Sequence, residues 1–195
     1  MPQSTSTKLL AAAEQVLLSA GVTGLSVRRV GEVSGLNPTL ITYHFGTVAG
    51  LLDQLCERNL APMLAAWDGL DGSATDDPHG LLRRWLAPLL APAAFTAHGR
   101  ALVVLDEIAS HGEPALRDRL FAEMAGVARR VRLSLAPHLP HLDDAELAGR
   151  MRFIAGAALG PPPRSRAPET KAGDAALDAL CRFAFSGLEL PPPAG

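Results

Sequence analysis

The sequence predicts an all-α chain: an N-terminal three-helix unit of the helix-turn-helix type followed by a larger helical bundle. Three observations carry that prediction. Ala and Leu dominate while Ile is scarce, apolar residues recur at three- and four-residue spacing, and no sustained apolar/polar alternation lies between Asn-Gly or Asp-Gly turns. With 195 residues, 48% of them hydrophobic and 19% charged, the chain can bury a sizeable core without a disulfide or metal staple. The 18 Lys and Arg against 20 Asp and Glu leave a formal charge of −2, so global charge does not argue for a nucleic-acid or anionic-membrane partner. Any such partner has to be argued locally.

The first helix is predicted from Leu9, Leu10, Ala13, Val16, Leu17 and Ala20, with caps among Ser4 to Thr7 and a stop at Gly21. Ser26 caps a second, short helix whose Val27, Val30 and Val33 are expected on one face, and Ser34-Gly35 ends it. Asn37-Pro38 then opens a third. The Asn oxygen accepts free backbone N–H groups, and a first-turn proline loses no hydrogen bond there. Gly46 stops this helix, and Thr47 caps a fourth that carries Val48, Leu51, Leu52, Leu55, Leu60, Met63, Leu64 and Trp67.

Asp71 to Pro78 reads as a surface connection, followed by helical patterns near 79–96, 99–110, 114–136, 143–160 and 172–188. Pro88 and Pro92 kink or break the apolar run from Leu86 to Ala97. Gly160 and the three prolines after it end a helix, RSRAPETKAG reads as a polar linker, and PPPAG as a loose tail. The expected domains are a small N-terminal unit over residues 1–50, a larger helical body over 51–190, and a tail over 191–195.

Function concentrates in residues 26 to 46, SVRRVGEVSGLNPTLITYHFG, where a short helix, a three-residue turn and a second short helix fit a helix-turn-helix. Gly31 falls where the helices must cross closely, and Gly35 in the tight turn. Val30, Leu36, Ile41 and Phe45 are expected to bury against the first helix. That leaves Pro38, Thr39, Thr42 and Tyr43 outward, with Leu40 and His44 at the margin. Thr39 and Thr42 can bond base edges or phosphates, Leu40 can pack on a thymine methyl, and Tyr43 and His44 can donate to phosphates. Ser26, Arg28 and Arg29 form a second phosphate-binding end, and Thr47 adds a hydroxyl at the start of the fourth helix.

These residues together resemble the tetracycline-repressor-like (TetR) family of bacterial transcriptional regulators. The family's N-terminal signature is similar to LLAAAEQVLLSAG, SVRRV and SGLNPTLITYHFG here, from about Thr7 to Leu52. Beyond Leu60 only the run of helices supports the match. The resemblance implies a homodimer whose last two long helices pair in a four-helix interface, a ligand cavity in the body, and repression of a near-palindromic operator relieved by a small molecule. Two departures stand out. The family usually places a lysine at position 48 and often an acid at 49, where this chain has Val48 and Ala49. Residues 1 to 48 carry Lys8, Arg28 and Arg29 against Glu14 and Glu32, so 3 − 2 = +1. A second reading therefore stands beside the first: a helical ligand-binding or interaction protein on the same scaffold that does not bind DNA.

In the body, Met63, Trp67, Trp85, Phe95, Phe121, Met124 and Phe153 are the candidate lining of an apolar effector pocket, although such residues are more often plain core. Ile154, Ala158, Leu177, Leu180, Phe183, Ala184 and Leu188 are the candidate dimer interface. His138, His141, Asp143 and Asp144 bring metal-capable side chains together, but Pro140 interrupts their helical spacing, and a loop with a helix cap at Asp143 is expected instead. Cys56 and Cys181 read as two reduced cysteines in packed helices. No nucleophile elbow, P-loop, zinc-protease or dinucleotide fingerprint stands in a fitting context, so neither an enzyme nor a cofactor is expected. The opening MPQSTSTKLL lacks a basic segment leading into a long apolar run, and no stretch reaches the roughly 18 apolar residues of a membrane span, which leaves the cytoplasm as the expected location.

Overall fold

A computed structural model of the chain describes residues 4–72, 76–90, 101–159 and 173–191. Among these the helices are α1 (Thr5–Ala20), α2 (Val27–Ser34), α3 (Thr39–Phe45), α4 (Val48–Ala66), α5 (Pro78–Leu90), α6 (Ala101–His111), α7 (Pro114–Leu135), α8 (Asp144–Leu159) and α9 (Gly173–Glu189), with 3₁₀ turns at Val22–Gly24 and Ala136–His138. No strand occurs among the described residues. Phe95 lies outside them, as do the linker and the last four residues.

The chain packs as two compact units, one of Met1–Pro62 with Arg100–Phe121 and one of Met63–Gly99 with Ala122–Gly195. The first unit therefore reaches past residue 50 and includes α6, because α6 packs on α1 and on the Val22–Gly24 turn. Its core is built from the stripe Leu9, Ala13, Val16 and Leu17 of α1, Val30 of α2, Ile41 of α3, and Leu51 and Leu55 of α4, each at 2% exposure or less. Leu102, Val104, Leu105 and Ile108 of α6 are buried as well. Each buried Leu or Ile contributes about 1.5–3 kcal/mol relative to its exposed state. Cys56 lies in this core, where burial pushes its thiol pKa up against an opposing pull from Arg119.

One polar contact secures the link between α1 and α2. Gly21 closes α1 by donating its N–H to the Leu17 carbonyl. The next residue, Val22, donates its N–H to Oε1 of Glu107 on α6 at 3.0 Å. The same carboxylate oxygen lies 3.3 Å from His111 Nδ1, one turn further along. A side chain 85 positions away in sequence thus satisfies the donor that opens the Val22–Gly24 turn.

In the second unit α5 packs against α8 and α9, which also pack on each other. Leu81, Leu82, Trp85, Leu86 and Leu89 face this core from α5, and Pro88 stands inside the helix. The Trp67 indole N–H donates to the Trp85 carbonyl at 2.8 Å, so a side chain only 1% exposed keeps its one donor satisfied. Arg150 bonds Glu146 and also donates from Nη1 to the carbonyls of Gly187 and Leu190, each at 2.6 Å, closing the C-terminal end of α9. Asp143 caps α8 by accepting the Glu146 N–H at 2.8 Å, as the sequence led us to expect, while His141 Nε2 lies 3.1 Å from the Leu188 carbonyl. Among the described residues no three metal-capable side chains gather.

Three expectations need correction. Val33 is 46% exposed rather than buried with Val30, because the six residues from Val27 to Val33 carry a side chain about 120° around the helix and no single narrow face holds all three valines. Phe121 and Phe153, expected to line the pocket, point to solvent at 51% and 81% exposure. Each adjoins a buried residue in sequence, Leu120 before Phe121 and Ile154 after Phe153, and so sits about 100° around the helix from it. Of the residues expected at the dimer interface, Ile154, Ala158, Leu177, Ala184 and Leu188 are buried within the protomer, Leu180 is half-buried, and only Phe183 is outward at 73%.

Glu107→Ala should lower stability to urea by about 1–2 kcal/mol, the cost of a part-buried backbone donor left without its carboxylate, whereas Glu107→Gln, which keeps an acceptor, should recover most of it. Equal midpoints for all three proteins would contradict the assigned role of this contact.

Candidate nucleic-acid interface

The interface is built from α2, the turn after it, α3 and the start of α4. Ser26 accepts the Arg29 N–H on its Oγ at 3.3 Å and so begins α2. Gly35 ends the helix at φ 68°, ψ 17°, a left-handed conformation that L side chains rarely adopt. Inside the turn, the Leu36 N–H donates to Ser34 Oγ at 3.2 Å. Asn37 Oδ1 then accepts the Thr39 N–H at 3.0 Å, and Pro38, at φ −54° and ψ −28°, is already helical. Asn37 with Pro38 therefore acts as the expected cap and first-turn proline. Gly46 closes α3 by donating to the Thr42 carbonyl, and Thr47 Oγ1 caps α4 by accepting the Gly50 N–H at 3.0 Å.

Two contacts fix how α3 stands on α2. Gly31 is the closer of them: a Cβ there would lie 2.6 Å from Pro38 Cγ and 3.3 Å from the Leu36 carbonyl oxygen. Only a glycine lets the two short helices approach this closely. Ile41 is the other, the one residue of α3 that is buried, at 0% exposure. A seven-residue helix does not persist alone in water, so this anchor and the cap hold it. Leu36 and Phe45, expected in the core, are only half-buried.

Every residue proposed from the sequence to meet DNA reaches the surface. Ser26, Arg28, Arg29, Pro38, Thr39, Thr42, Tyr43, His44 and Thr47 are exposed and Leu40 is half-buried. Tyr43 is 81% exposed, with its ring edge-on to His44 at 5.0 Å between centroids. The hydroxyls of Ser26 and Thr47 accept from backbone N–H groups, which leaves their hydrogens to donate outward, as a phosphate oxygen requires. Arg28 is paired with Glu32 at 2.8 Å across one helical turn. Sequence reasoning treated Arg28 as a phosphate contact and overlooked this competitor, although the i, i+4 spacing signals it. Asn37 does more than the cap expected of it, since its oxygen engages the Thr39 hydroxyl too.

The arrangement of these helices recurs in solved structures. A TetR-like transcriptional regulator from Rhodococcus sp. RHA1 is similar with a TM-score of 0.72 at 18% identity, covering 96% of this chain and 98% of its own. AmtR from Mycobacterium smegmatis gives 0.68 at 18% identity, covering 98% and 89%. SCO3833, a TetR-family member from Streptomyces coelicolor A3, gives 0.67 at 18% identity, covering 98% and 92%. The chain has the TetR-regulator fold. No family model matches the sequence, and no curated protein matches it either. At this identity the TetR-regulator likeness is one of fold, and the side chains of α2, α3 and α4 carry the functional argument.

Gly31→Ala should displace α3 and cost about 1–3 kcal/mol of stability through overpacking at Pro38, read from urea unfolding. Glu32→Gln should release Arg28, tighten binding to an arbitrary duplex at low salt and steepen the dependence of log affinity on log salt; an unchanged slope would show that Arg28 does not reach phosphate.

Proposed function

We propose that the protein is a DNA-binding transcriptional regulator that acts as a homodimer in the cytoplasm. In this reading residues 1–50 are the DNA-binding part and residues 51–190 the ligand-binding and dimerisation part. It represses from a near-palindromic operator and releases it when a small, apolar molecule binds the body. The observation that carries the reading is the outward face of α3, where Thr39, Thr42, Tyr43 and His44 stand exposed on a helix pinned by one buried residue. Such a face offers base edges single hydroxyls and a methyl-rich surface, while Ser26, Arg28, Arg29 and Thr47 at its two ends face the backbone. On a two-fold dimer the two α3 helices must meet half-sites about 34–36 Å apart or a multiple of that, so an effector that favours another spacing releases the DNA. Buried Met63, Trp67 and Trp85 in the second unit supply an apolar inventory for such an effector. No helix among the described residues is long and apolar enough to cross a membrane.

The dimer surface in this reading differs from the one expected from the sequence. The outward side of α8 carries Phe153, Gly156 and Ala157 and that of α9 carries Ala179 and Phe183, all exposed in the protomer. Small residues beside two exposed rings suit helix against helix at close range. The double substitution Phe153→Asp/Phe183→Asp is expected to give a monomer by light scattering at micromolar concentration with helicity retained; an unchanged mass would remove this face from the interface.

The low local charge favours a second reading, a scaffold that binds ligand or protein but not DNA. Fluorescence anisotropy with the chain's own upstream intergenic DNA separates the two. Sequence-selective binding that scrambled duplex lacks and that Thr39→Ala/Tyr43→Ala abolishes is the expected result; absence of selectivity at low salt would favour the second reading. Val48→Lys should raise affinity in a DNA binder and add about one unit to the salt slope per half-site.

A further inference from the structure

We infer that Thr39 reads the exocyclic amino group of adenine, so that each operator half-site presents an A·T pair, and not guanine, to the start of α3. This rests on the DNA-binding reading above and specifies the base edge it uses.

The argument begins with the direction of two hydrogen bonds. The Thr39 backbone N–H meets the Asn37 side-chain amide at 3.0 Å. A backbone N–H can only donate, so the amide atom it meets is the oxygen, and the amide orientation follows from chemistry. The Thr39 hydroxyl lies 2.8 Å from that same oxygen. An amide oxygen can only accept, so the hydroxyl hydrogen is committed to Asn37. The exposed Thr39 Oγ1 therefore offers outward lone pairs without a hydrogen, beside its own methyl group. Ser26 and Thr47 have the opposite polarity, since each accepts from a backbone N–H and keeps its hydrogen for a phosphate.

In the major groove an acceptor finds a donor only at adenine N6 or cytosine N4; guanine N7 and O6 and thymine O4 would oppose it with acceptors. Of the two pairs with a suitable donor, A·T also presents a thymine methyl on the same edge. That methyl matches the Thr39 methyl, the exposed Pro38 ring and the half-buried Leu40. Cytosine's edge has no such group. From Leu36 to Thr47 there is no Arg, Lys or Gln, and the single Asn has its oxygen doubly engaged. The face thus lacks the forked donor that anchors guanine and the free amide that would grip adenine at two points.

The test selects duplexes from a randomised pool with the full chain, then scans the winner with analogues that delete single groups. Purine in place of adenine removes the amino group, uracil in place of thymine the methyl, and 7-deazaguanine the guanine N7. At one A·T pair per half-site the first two should weaken binding about three- to tenfold each, and 7-deazaguanine should change nothing. Thr39→Val, which keeps the shape and methyl but has no acceptor, should lose the purine penalty and keep the uracil penalty. Asn37→Ala should free the hydroxyl hydrogen and let guanine be tolerated at that position; should this variant unfold, Thr39→Val alone decides. Half-sites anchored on guanine or cytosine, a loss with 7-deazaguanine, or a purine penalty that persists in Thr39→Val would overturn the inference while leaving DNA binding intact. Failure of the pool to enrich would overturn the DNA-binding reading and this inference with it.

Discussion

The close approach of Gly31 to Pro38 is the constraint on which the rest of the first unit depends. A helix of seven residues has too few internal hydrogen bonds to hold itself, so its direction is imposed from outside. The imposed contacts are few: a proline ring packed where a Cβ would stand, Ile41 in the core, and the Asn37 cap. Because Pro38 belongs both to this packing and to the exposed start of α3, the residue that locks the helix sits next to the residues proposed to meet a base edge. Precision at Thr39 therefore follows from steric contact within the unit and needs no long-range support.

That economy has an electrostatic side. The three cations of residues 1–48 are reduced in effect to two by the Arg28 to Glu32 pair, and Val48 contributes none. Binding by counterion release scales with the number of phosphates neutralised, so in the proposed reading little of the affinity for DNA would come from charge. What remains are hydroxyls and helix-end N–H groups, whose hydrogen bonds depend on angle as well as distance. In the proposed DNA-binding reading, an interface made this way would discriminate by geometry, which suits a helix, α3, that is fixed by packing.

Legibility from the sequence followed the density of local signals. The caps at Ser26, Asn37, Thr47 and Asp143 were read correctly because each is a short-range hydrogen bond between residues at most three apart. Faces of long helices were read less well. On α8 and α9 apolar residues cover more than one side, so Phe153 and Phe183 could not be told from Ile154 and Ala184 by composition, and only packing shows that the second pair is core. The Glu107 to Val22 bond and the inclusion of α6 with the N-terminal helices were illegible for a different reason: they join segments 85 residues apart, and no spacing rule reaches that far.

The Asn37 and Thr39 pair shows where a correctly read cap still concealed chemistry. As a cap, Asn37 satisfies one backbone donor, and any of several residues could do so. As the acceptor for a side-chain hydroxyl it does something a cap rule does not describe, because it decides whether Thr39 presents a hydrogen or a lone pair to the outside. Serine at 37 could still cap, but its single oxygen on a shorter arm would not hold the hydroxyl in the same way. The residue proposed to set the polarity of the exposed face of α3 thus lies two positions before the helix begins, and in that reading its effect on selectivity would pass through the 2.8 Å hydrogen bond from the Thr39 hydroxyl.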